Sequence, residues 1–260
     1  MYPLTRLLDL LCPPICPICG NVIENAPGQD EPLCSICVQK SVTPDGQFCR
    51  RCGGRRFVAA HNTEECPRCR TADFRFKRVI TLGEYEHDLR LAILRMKTDS
   101  HGILVTSAAR ALARYRHTDL QNAEADIIVP VPMHRLRRND RGVNSPDLLA
   151  EELSRHLKIP VVRNRVRRVR STDLQYTLSP RGRIENMKEA FAISSPHRFI
   201  GIYFATAPLT GKNILLVDDI LTTGATCNEV TKVLLASGVR SVTVAVLARA
   251  EGNYGRNITP

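Results

Sequence analysis

The stretch from Ile214 to Val230 constrains the fold of this chain more than any other. An apolar run, Ile214 to Val217, is typical of a buried strand in a parallel sheet, and two adjacent carboxylates, Asp218 and Asp219, follow it at once. A loop of small residues comes next, and the pattern at 229–237 predicts a helix that a glycine closes. In open parallel sheets, ligands bind where a strand passes through a loop into a helix.

The loop between this strand and this helix suits a phosphate group. Free backbone N–H groups and the positive end of the helix dipole attract an anion, and a glycine lets the backbone come close without a Cβ in the way. The two carboxylates upstream would repel a phosphate, but they suit sugar hydroxyls and a nearby hard cation. A ribose 5-phosphate satisfies both requirements. The loop residues are Thr222, Thr223, Gly224, Ala225 and Thr226.

This stretch resembles the phosphoribosyl pyrophosphate (PRPP) loop of type I phosphoribosyltransferases, because an apolar strand, Asp-Asp, one apolar residue and TTGAT follow each other directly. The resemblance implies that Asp218 and Asp219 hold the ribose hydroxyls and that residues 222–226 cradle the 5′-phosphate. The alternative is an ordinary strand-to-helix turn with a capping Asp. A Walker A loop does not fit, because Gly211-Lys212 lacks the earlier glycine and is followed by Asn213.

Nine of the ten cysteines lie before residue 70, and eight of them form four CxxC pairs. In a cytosolic protein such clustering indicates metal binding before disulfides. One CxxC turn directs two thiolates at a point, and two turns complete a tetrahedron. We therefore predict two structural zinc ions, with the pairs taken in sequence or crossed, first with third. The ligands are Cys16, Cys19, Cys34, Cys37, Cys49, Cys52, Cys66 and Cys69, with Cys12 and His61 outside the set.

The cysteine region has few large apolar residues, so the metal must supply much of its folding energy. We assign residues 1–73 to an N-terminal helix and a double zinc ribbon, and 74–260 to a second domain. Leucines at helical spacing predict an amphipathic helix over 1–11 that packs on the body, with a membrane-surface helix as the alternative. At the junction, Phe74 and Phe76 favour an edge strand with both rings inward over a base-stacking strip.

The remaining pattern alternates apolar strands with amphipathic helices, which predicts an α/β fold with an open parallel sheet. The segment 194–210 predicts a loop or a hairpin. The predicted strands are Val79–Tyr85, Asp126–Val131 and Ser241–Leu247, and the predicted helices are Asp88–Lys97, Ile103–Arg116 and Asp147–Leu157.

Two basic segments add candidate anion sites. The strand ending at Val131 leads into a basic turn with Arg138, Arg141 and Gly142, which suits a pyrophosphate; a solvated basic loop is the alternative. The segment 161–183 holds seven arginines and one acid. It suits a solvated face, a positive lid or a nucleic-acid backbone, and its RVRRV alternation is typical of an edge strand.

The whole chain is similar to the ComF/GntX family of competence-associated, phosphoribosyltransferase-like proteins. The similarity rests on CPICG with its paired CxxC turns, on VPVPMHRLRRNDRGVN and on LLVDDILTTGAT. Val143 and Ser145 depart from the family pattern, which usually has Phe and Gln there. Between and before these motifs the family's spaced residues are present: Lys97, Gln175, Leu178, Arg183, Asn186, Ala190 and Phe191.

This resemblance implies a type I phosphoribosyltransferase fold behind an N-terminal zinc-binding module. It also implies a cytoplasmic role in handling incoming single-stranded DNA, with competence proteins as partners. As an enzyme, the chain would transfer phosphoribosyl from Mg²⁺-PRPP to an unidentified acceptor. The alternatives are a nucleic-acid-binding adaptor that keeps PRPP or a nucleotide phosphate as a regulatory ligand, and a structural adaptor with a vestigial site.

Charge and hydropathy agree with a soluble protein that meets anions. The formal net charge is +11, and eight thiolates with two Zn²⁺ would bring it to about +7. No apolar run reaches the roughly 20 residues that span a bilayer, and the N-terminus is too short and too charged for a signal peptide.

Overall fold

The computed structural model describes most of the chain, and some of the residues predicted above lie outside the described part. The N-terminal helix, Arg138, Arg141, Gly142 and Gln175 are among the latter, and so is the side chain of Arg183. The described residues are 13–23, 32–56, 66, 69–70, 72–97, 99, 102–132, 144–170, 180–194, 198–199, 202–203 and 209–250.

Within those ranges, helices and strands alternate along most of the chain, as the sequence pattern predicts. The helices are α1 (Ser35–Ser41), α2 (His87–Met96), α3 (Ile103–Tyr115), α4 (His117–Gln121), α5 (Ser145–Leu157), α6 (Pro180–Met187) and α7 (Ala225–Ala236). The strands are β1 (Arg78–Glu84), β2 (Ile127–Pro130), β3 (Val166–Arg168), β4 (Phe191–Ile193), β5 (Arg198–Phe199), β6 (Ile202–Tyr203), β7 (Asn213–Leu221) and β8 (Ser241–Arg249).

A parallel four-stranded sheet with the order β1-β8-β7-β2 forms the centre of the molecule. Val217 of β7 pairs with Ala245 of β8 on one side and with Pro130 of β2 on the other. Strands β7 and β8 are nearly continuous apolar runs because both faces of the sheet are covered. The crossovers bring the carboxyl ends of these strands to one edge, where the polar residues after β7 lie.

Alternate side chains of the strands enter two separate cores. Leu215 and Val217 belong to the core that α2, α3 and α5 cover, whereas Ile214 and Leu216 belong to the core that α7, β3 and β4 cover. This period of two follows from the strand pleat. The sheet is therefore the middle layer of three.

Helix α7 begins at Ala225, and the predicted start at residue 229 is wrong by four residues. Gly224, with φ of +82°, turns the chain directly from β7 into the helix. Small hydroxyl residues usually compete with helix formation by bonding to nearby backbone groups, so the sequence pattern favours loop here. The helix ends before Gly238, with φ of +89°, as predicted.

Residues 72–77 do not form a strand, so the edge strand predicted at 71–78 is wrong for these residues, and only Arg78 belongs to a strand, as the first residue of β1. Arg51 donates hydrogen bonds to the carbonyl oxygens of Phe74 and Phe76, which removes these acceptors from any ladder. The predicted inward direction of the rings is confirmed: Phe76 is fully buried, Phe74 is half-buried, and their centroids stack at 4.8 Å.

Most of the other predicted elements are confirmed within two residues. The RVRRV run forms β3, which pairs antiparallel with β4, and β5 and β6 form a hairpin within 194–210. Helix α5 begins earlier than predicted because Pro146 suits a first helical turn, and β8 continues to Arg249. The short helices α1 and α4 were not predicted. None of the described helices has the length and apolar character needed to cross a membrane.

Candidate anion-binding site and metal centres

Strand β7 carries Asp218 and Asp219 to the carboxyl edge of the sheet and fixes both carboxylates there. The backbone N–H of Asp219 donates to Asp218 Oδ1 at 2.9 Å, and the N–H of Ile220 donates to Asp219 Oδ1 at 2.8 Å. In the ladder with β8, Asp218 pairs with Val246 and Ile220 pairs with Ala248, and the register skips Asp219. Each aspartate therefore accepts a hydrogen bond from the residue after it, which restrains its orientation.

The Asp218 carboxyl group is surrounded by protein although part of the residue surface stays accessible. This burial raises the pKa of Asp218 well above the ordinary value, and the adjacent charge of Asp219 raises it further, while Arg168 opposes the shift. The Cys227 thiol lies 4.0 Å from Asp218 Oδ2, and burial raises the pKa of Cys227 as well. A cation or a donor group at this position would therefore stabilise the ionised carboxylate.

The loop after β7 is short and leads directly into α7. Gly224 is buried and occupies the helix N-cap, where it provides no side-chain hydrogen bond to the first turn. The Ala225 N–H donates to Thr223 Oγ1 at 3.3 Å, and the Asn228 N–H donates to the Gly224 carbonyl at 2.8 Å. The structure thus brings together the five predicted loop residues and the two aspartates. The start of a 12-residue helix here favours an anion.

Two further predicted residues fall in the described part of the chain. Asn186 lies in α6, next to α7, and its carbonyl accepts a hydrogen bond from Arg170 Nη2 at 2.9 Å. Lys97 follows the last residue of α2, and no hydrogen bond joins it to the described residues 218–226. The structure therefore brings Asn186 to the helix that begins at the loop but does not connect Lys97 to the loop.

The eight predicted cysteines form two groups, and the sequential pairing of the CxxC turns is the one observed. In each group the four Sγ atoms lie within 4.8 Å of one another. We call Cys16, Cys19, Cys34 and Cys37 the first cysteine cluster, and Cys49, Cys52, Cys66 and Cys69 the second cysteine cluster.

The geometry of both clusters fits zinc. The Sγ atoms of Cys19 and Cys34 are 3.7 Å apart, as are those of Cys49 and Cys69. A tetrahedron with Zn–S bonds of about 2.3 Å has S–S separations of about 3.8 Å. Burial raises the pKa of Cys69 to about 12, whereas hydrogen bonding with Cys52 lowers the pKa of Cys49 to about 4, and a bound cation would hold all four sulfurs as thiolates. Four protein ligands at each site make both centres structural.

Sequence reasoning missed three residues around the aspartates. Cys227 and Arg168 act on Asp218 as described above. Arg249, buried at the end of β8, donates hydrogen bonds to the carbonyl oxygens of Leu221 and Thr222. The one available signal for Arg249 was a charged residue that ends an otherwise apolar strand.

Comparison with known proteins identifies two families along the chain. The model of the phosphoribosyl transferase domain matches residues 147–258, and the model of the double zinc ribbon domain matches residues 7–70. The solved purine phosphoribosyltransferase of Pyrococcus horikoshii is 23% identical and aligns with 56% of this chain and 73% of its own, but the TM-score of 0.33 is too low to add support.

Several relatives match this chain over most of its length and over most of their own length. Competence protein F of Haemophilus influenzae is 34% identical over 226 residues, which cover 84% of this chain and 90% of that protein. DNA utilization protein YhgH of Escherichia coli K12 is 33% identical over 223 residues, with the same two coverages. Competence protein ComFC of Bacillus subtilis is 24% identical over 217 residues, which are 80% of each chain. The chain belongs to the ComF/GntX family and combines a type I phosphoribosyltransferase fold with an N-terminal double zinc ribbon.

Proposed function

We propose that this protein binds Mg²⁺-PRPP at the carboxyl end of β7. The observation that carries the proposal is the position of two restrained carboxylates, Asp218 and Asp219, directly before the glycine turn into α7. The start of α7, which favours an anion, therefore lies next to two carboxylates, which favour hydroxyl groups or a cation. PRPP combines a 5′-phosphate, ribose hydroxyls and a metal-binding pyrophosphate in one molecule.

Each part of the site has a role in this proposal. The first turn of α7 and the loop N–H groups hold the 5′-phosphate. The Thr223 hydroxyl accepts a hydrogen bond from the Ala225 N–H, so its own O–H is oriented to donate to a phosphate oxygen. Asp218 Oδ1 and Asp219 Oδ1 accept backbone N–H groups, which leaves Asp219 Oδ2 for a ribose hydroxyl, whereas Asp218 Oδ2 faces the Cys227 thiol at 4.0 Å. A bound Mg²⁺ supplies positive charge that neutralises pyrophosphate oxygens.

In the enzymatic form of the proposal, the bond from ribose C1 to pyrophosphate breaks and a bond from C1 to an acceptor forms. The positive charge that develops on the ribose is stabilised by Asp218 and Asp219. The departing pyrophosphate carries the electron pair of the broken bond, and we assign its stabilisation to Arg138, Arg141 and Gly142. In the alternative form, PRPP is a regulatory ligand and no transfer takes place.

Calorimetric titration with PRPP, with and without Mg²⁺, tests the binding site. We expect binding that requires Mg²⁺ and that is lost in the double variant Asp218→Asn/Asp219→Asn. Asp126→Asn is the matched control. Asp126 accepts hydrogen bonds from Lys212 and Asn213, and Asn213 begins β7, so Asp126 lies at the end of the strand opposite to Asp218 and Asp219. Absence of binding by the zinc-loaded wild-type protein, or equal binding by the double variant, would overturn the proposal.

We propose further that the protein handles single-stranded DNA, in keeping with the competence and DNA utilization names of its relatives. The supporting surface is the basic segment around β3. Arg163, Arg167 and Arg170 are exposed there; Arg163 pairs with Glu151, and Arg170 donates to the carbonyl oxygens of Asn186 and Lys188. Exposed guanidinium groups suit the phosphates of a nucleic-acid backbone.

A further inference from the structure

The second cysteine cluster lies close to the loop that we assign to phosphate binding. Phe74 packs on Cys49, Cys52 and Cys66, and its ring also borders the loop at Gly224. A Cβ atom built on Gly224 would lie only 2.9 Å from Phe74 Cε1. One aromatic side chain therefore separates the cluster from the turn into α7.

Arg249 makes a second and independent connection between the same two features. Its Nε donates to the Cys52 carbonyl at 2.9 Å, while its Nη1 donates to the Leu221 carbonyl at 2.8 Å and also to the Thr222 carbonyl. The residue is 5% exposed. Because the guanidinium is planar and rigid, these bonds fix the start of the loop relative to the backbone of a cluster ligand.

A third connection reaches the first turn of α7. The Arg75 N–H donates to Asn228 Oδ1 at 2.6 Å, and Asn228 Nδ2 donates to the Asp73 carbonyl at 3.1 Å. Residues 73–76 follow the last ligand of the second cluster along the chain. Arg51, which lies between the ligands Cys49 and Cys52, donates hydrogen bonds to two carbonyl oxygens of residues 73–76. Both ends of the phosphate loop are thus attached to the second cluster.

The first cysteine cluster has a different environment. Cys16 and Cys37 are buried in the core that includes α2 and α3, and the Ile18 carbonyl accepts a hydrogen bond from Arg95 at 3.2 Å. Among the described residues, no hydrogen bond joins 13–23 or 34–41 to 218–228. The two clusters have the same four-cysteine ligand set, but only the second is connected to the phosphate loop.

We propose that the second cysteine cluster sets the order of the phosphate loop through Arg249 and Phe74, and that the first cluster does not. When the second cluster is closed around its metal, the loop amides hold the geometry that a phosphate requires. When that cluster opens, the loop loses both attachments and phosphate affinity falls. The part that concerns affinity rests on the proposed PRPP function, whereas the part that concerns loop order does not.

Hydrogen exchange of the zinc-loaded protein tests the role of Arg249 without any ligand. We expect the amides of Ala225 and Asn228, which donate to Thr223 Oγ1 and to the Gly224 carbonyl, to exchange on the order of tenfold faster in Arg249→Met than in the wild type. Arg116→Met is the matched control, because Arg116 is also buried. It also donates to one backbone carbonyl in the cysteine region, at Thr43, and to one in β1, at Thr81. Equal exchange in the two variants would overturn the proposal.

Single replacements in the two clusters test the metal dependence. Cys69→Ser and Cys19→Ser remove equivalent, partly exposed ligands, one from each cluster. We expect both to lower zinc content by one ion, but only Cys69→Ser to speed loop exchange and to weaken PRPP binding, by on the order of tenfold. Equal effects on the loop would refute the inference. If the wild type does not bind PRPP, the proposed function fails, and the exchange data still decide whether the second cluster orders the loop.

Discussion

At the scale of single residues, Asp218 shows a conflict between folding and function. Its carboxyl group is enclosed by protein and lies beside a second carboxylate, and both facts raise its pKa. The ionised form that would bind ribose or a cation is the form that the ligand-free fold disfavours. Sites that keep such groups commonly trade stability for function.

Asp218→Asn is therefore expected to stabilise the ligand-free protein while it abolishes PRPP binding. Because folding raises the pKa, Asp218 contributes most to stability when it is protonated, and this contribution falls as the pH rises through the raised pKa. The gain in Tm on substitution should therefore be larger at pH 7 than at pH 4, which is close to the ordinary pKa value of 3.8. Differential scanning calorimetry at both pH values measures this change.

Asp126→Asn provides the comparison of opposite sign. The Asn213 N–H and Lys212 lower the pKa of Asp126, so its ionised form is favoured by folding. This substitution should lower Tm across the same range. A lower Tm for Asp218→Asn than for the wild type at pH 7 would contradict our account of the buried carboxyl.

Gly224 is the second residue whose replacement has a specific expected result. Alanine would have to adopt φ near +82° and would place its Cβ 2.9 Å from Phe74. Gly211→Ala is the matched control, since Gly211 has φ of +75° but has no atom within 4 Å of its Cβ position. We expect Gly224→Ala to be less stable than Gly211→Ala by about 1–3 kcal/mol, the usual cost of overpacking. Urea unfolding measures the difference, and equal stabilities would show that Phe74 adapts without cost.

At the scale of elements, each CxxC turn supplies two of the four ligands of a metal site, and the tertiary fold determines which two turns share a site. Both sequential and crossed pairing satisfy the spacing along the chain, so the sequence left this choice open. The structure joins the turns in sequence, because the first cluster lies in the core beside α2 and the second lies beside Phe74. Zinc stoichiometry can therefore report the pairing in solution.

Two double variants distinguish these pairings under a competing chelator. Cys19→Ser/Cys34→Ser removes two ligands of the first cluster and should leave one zinc per chain. Cys19→Ser/Cys49→Ser removes one ligand from each cluster and should leave none. Crossed pairing of the first turn with the third predicts the reverse. Metal analysis after gel filtration gives the answer.

At the scale of the whole molecule, positive charge dominates, with a formal net charge of +11. The exposed Arg163, Arg167 and Arg170 concentrate part of this charge around β3. Binding of a polyanion to such a surface releases counterions and weakens as salt is added. A salt series therefore separates binding through phosphates from other modes.

We expect the affinity for a single-stranded oligonucleotide to fall steeply between 50 and 200 mM salt, with a slope of about −0.7 per phosphate contact in a plot of log K against log salt. Arg167→Glu and Arg170→Glu should each weaken binding and reduce this slope. Arg240→Glu is the control, because Arg240 is exposed just before β8 and its N–H donates to the carbonyl of Lys212, just before β7. Binding that is independent of salt, or equally weakened by the control, would count against DNA handling by this surface. Fluorescence anisotropy measures all four proteins.

Local sequence pattern was sufficient to predict the features that depend on neighbours along the chain. The apolar strand with Asp218 and Asp219, the eight cysteines and the inward rings of Phe74 and Phe76 are of this kind. The start of α7 was missed because the fold overrides the preference of its small hydroxyl residues. The role of Arg249 was not predictable, because its partners at Cys52 and Leu221 meet it only through the tertiary fold.

The bond between Cys52 and Arg249 also has a consequence for the order of events during synthesis. Its two residues are 197 positions apart, so a ribosome needs roughly 10–40 s to pass from one to the other at usual elongation rates. The cysteine turns leave the ribosome early and can acquire their metal during that interval. The last strand then completes a contact to a preformed partner, and the ligand-binding half of the protein folds onto the half that was made first.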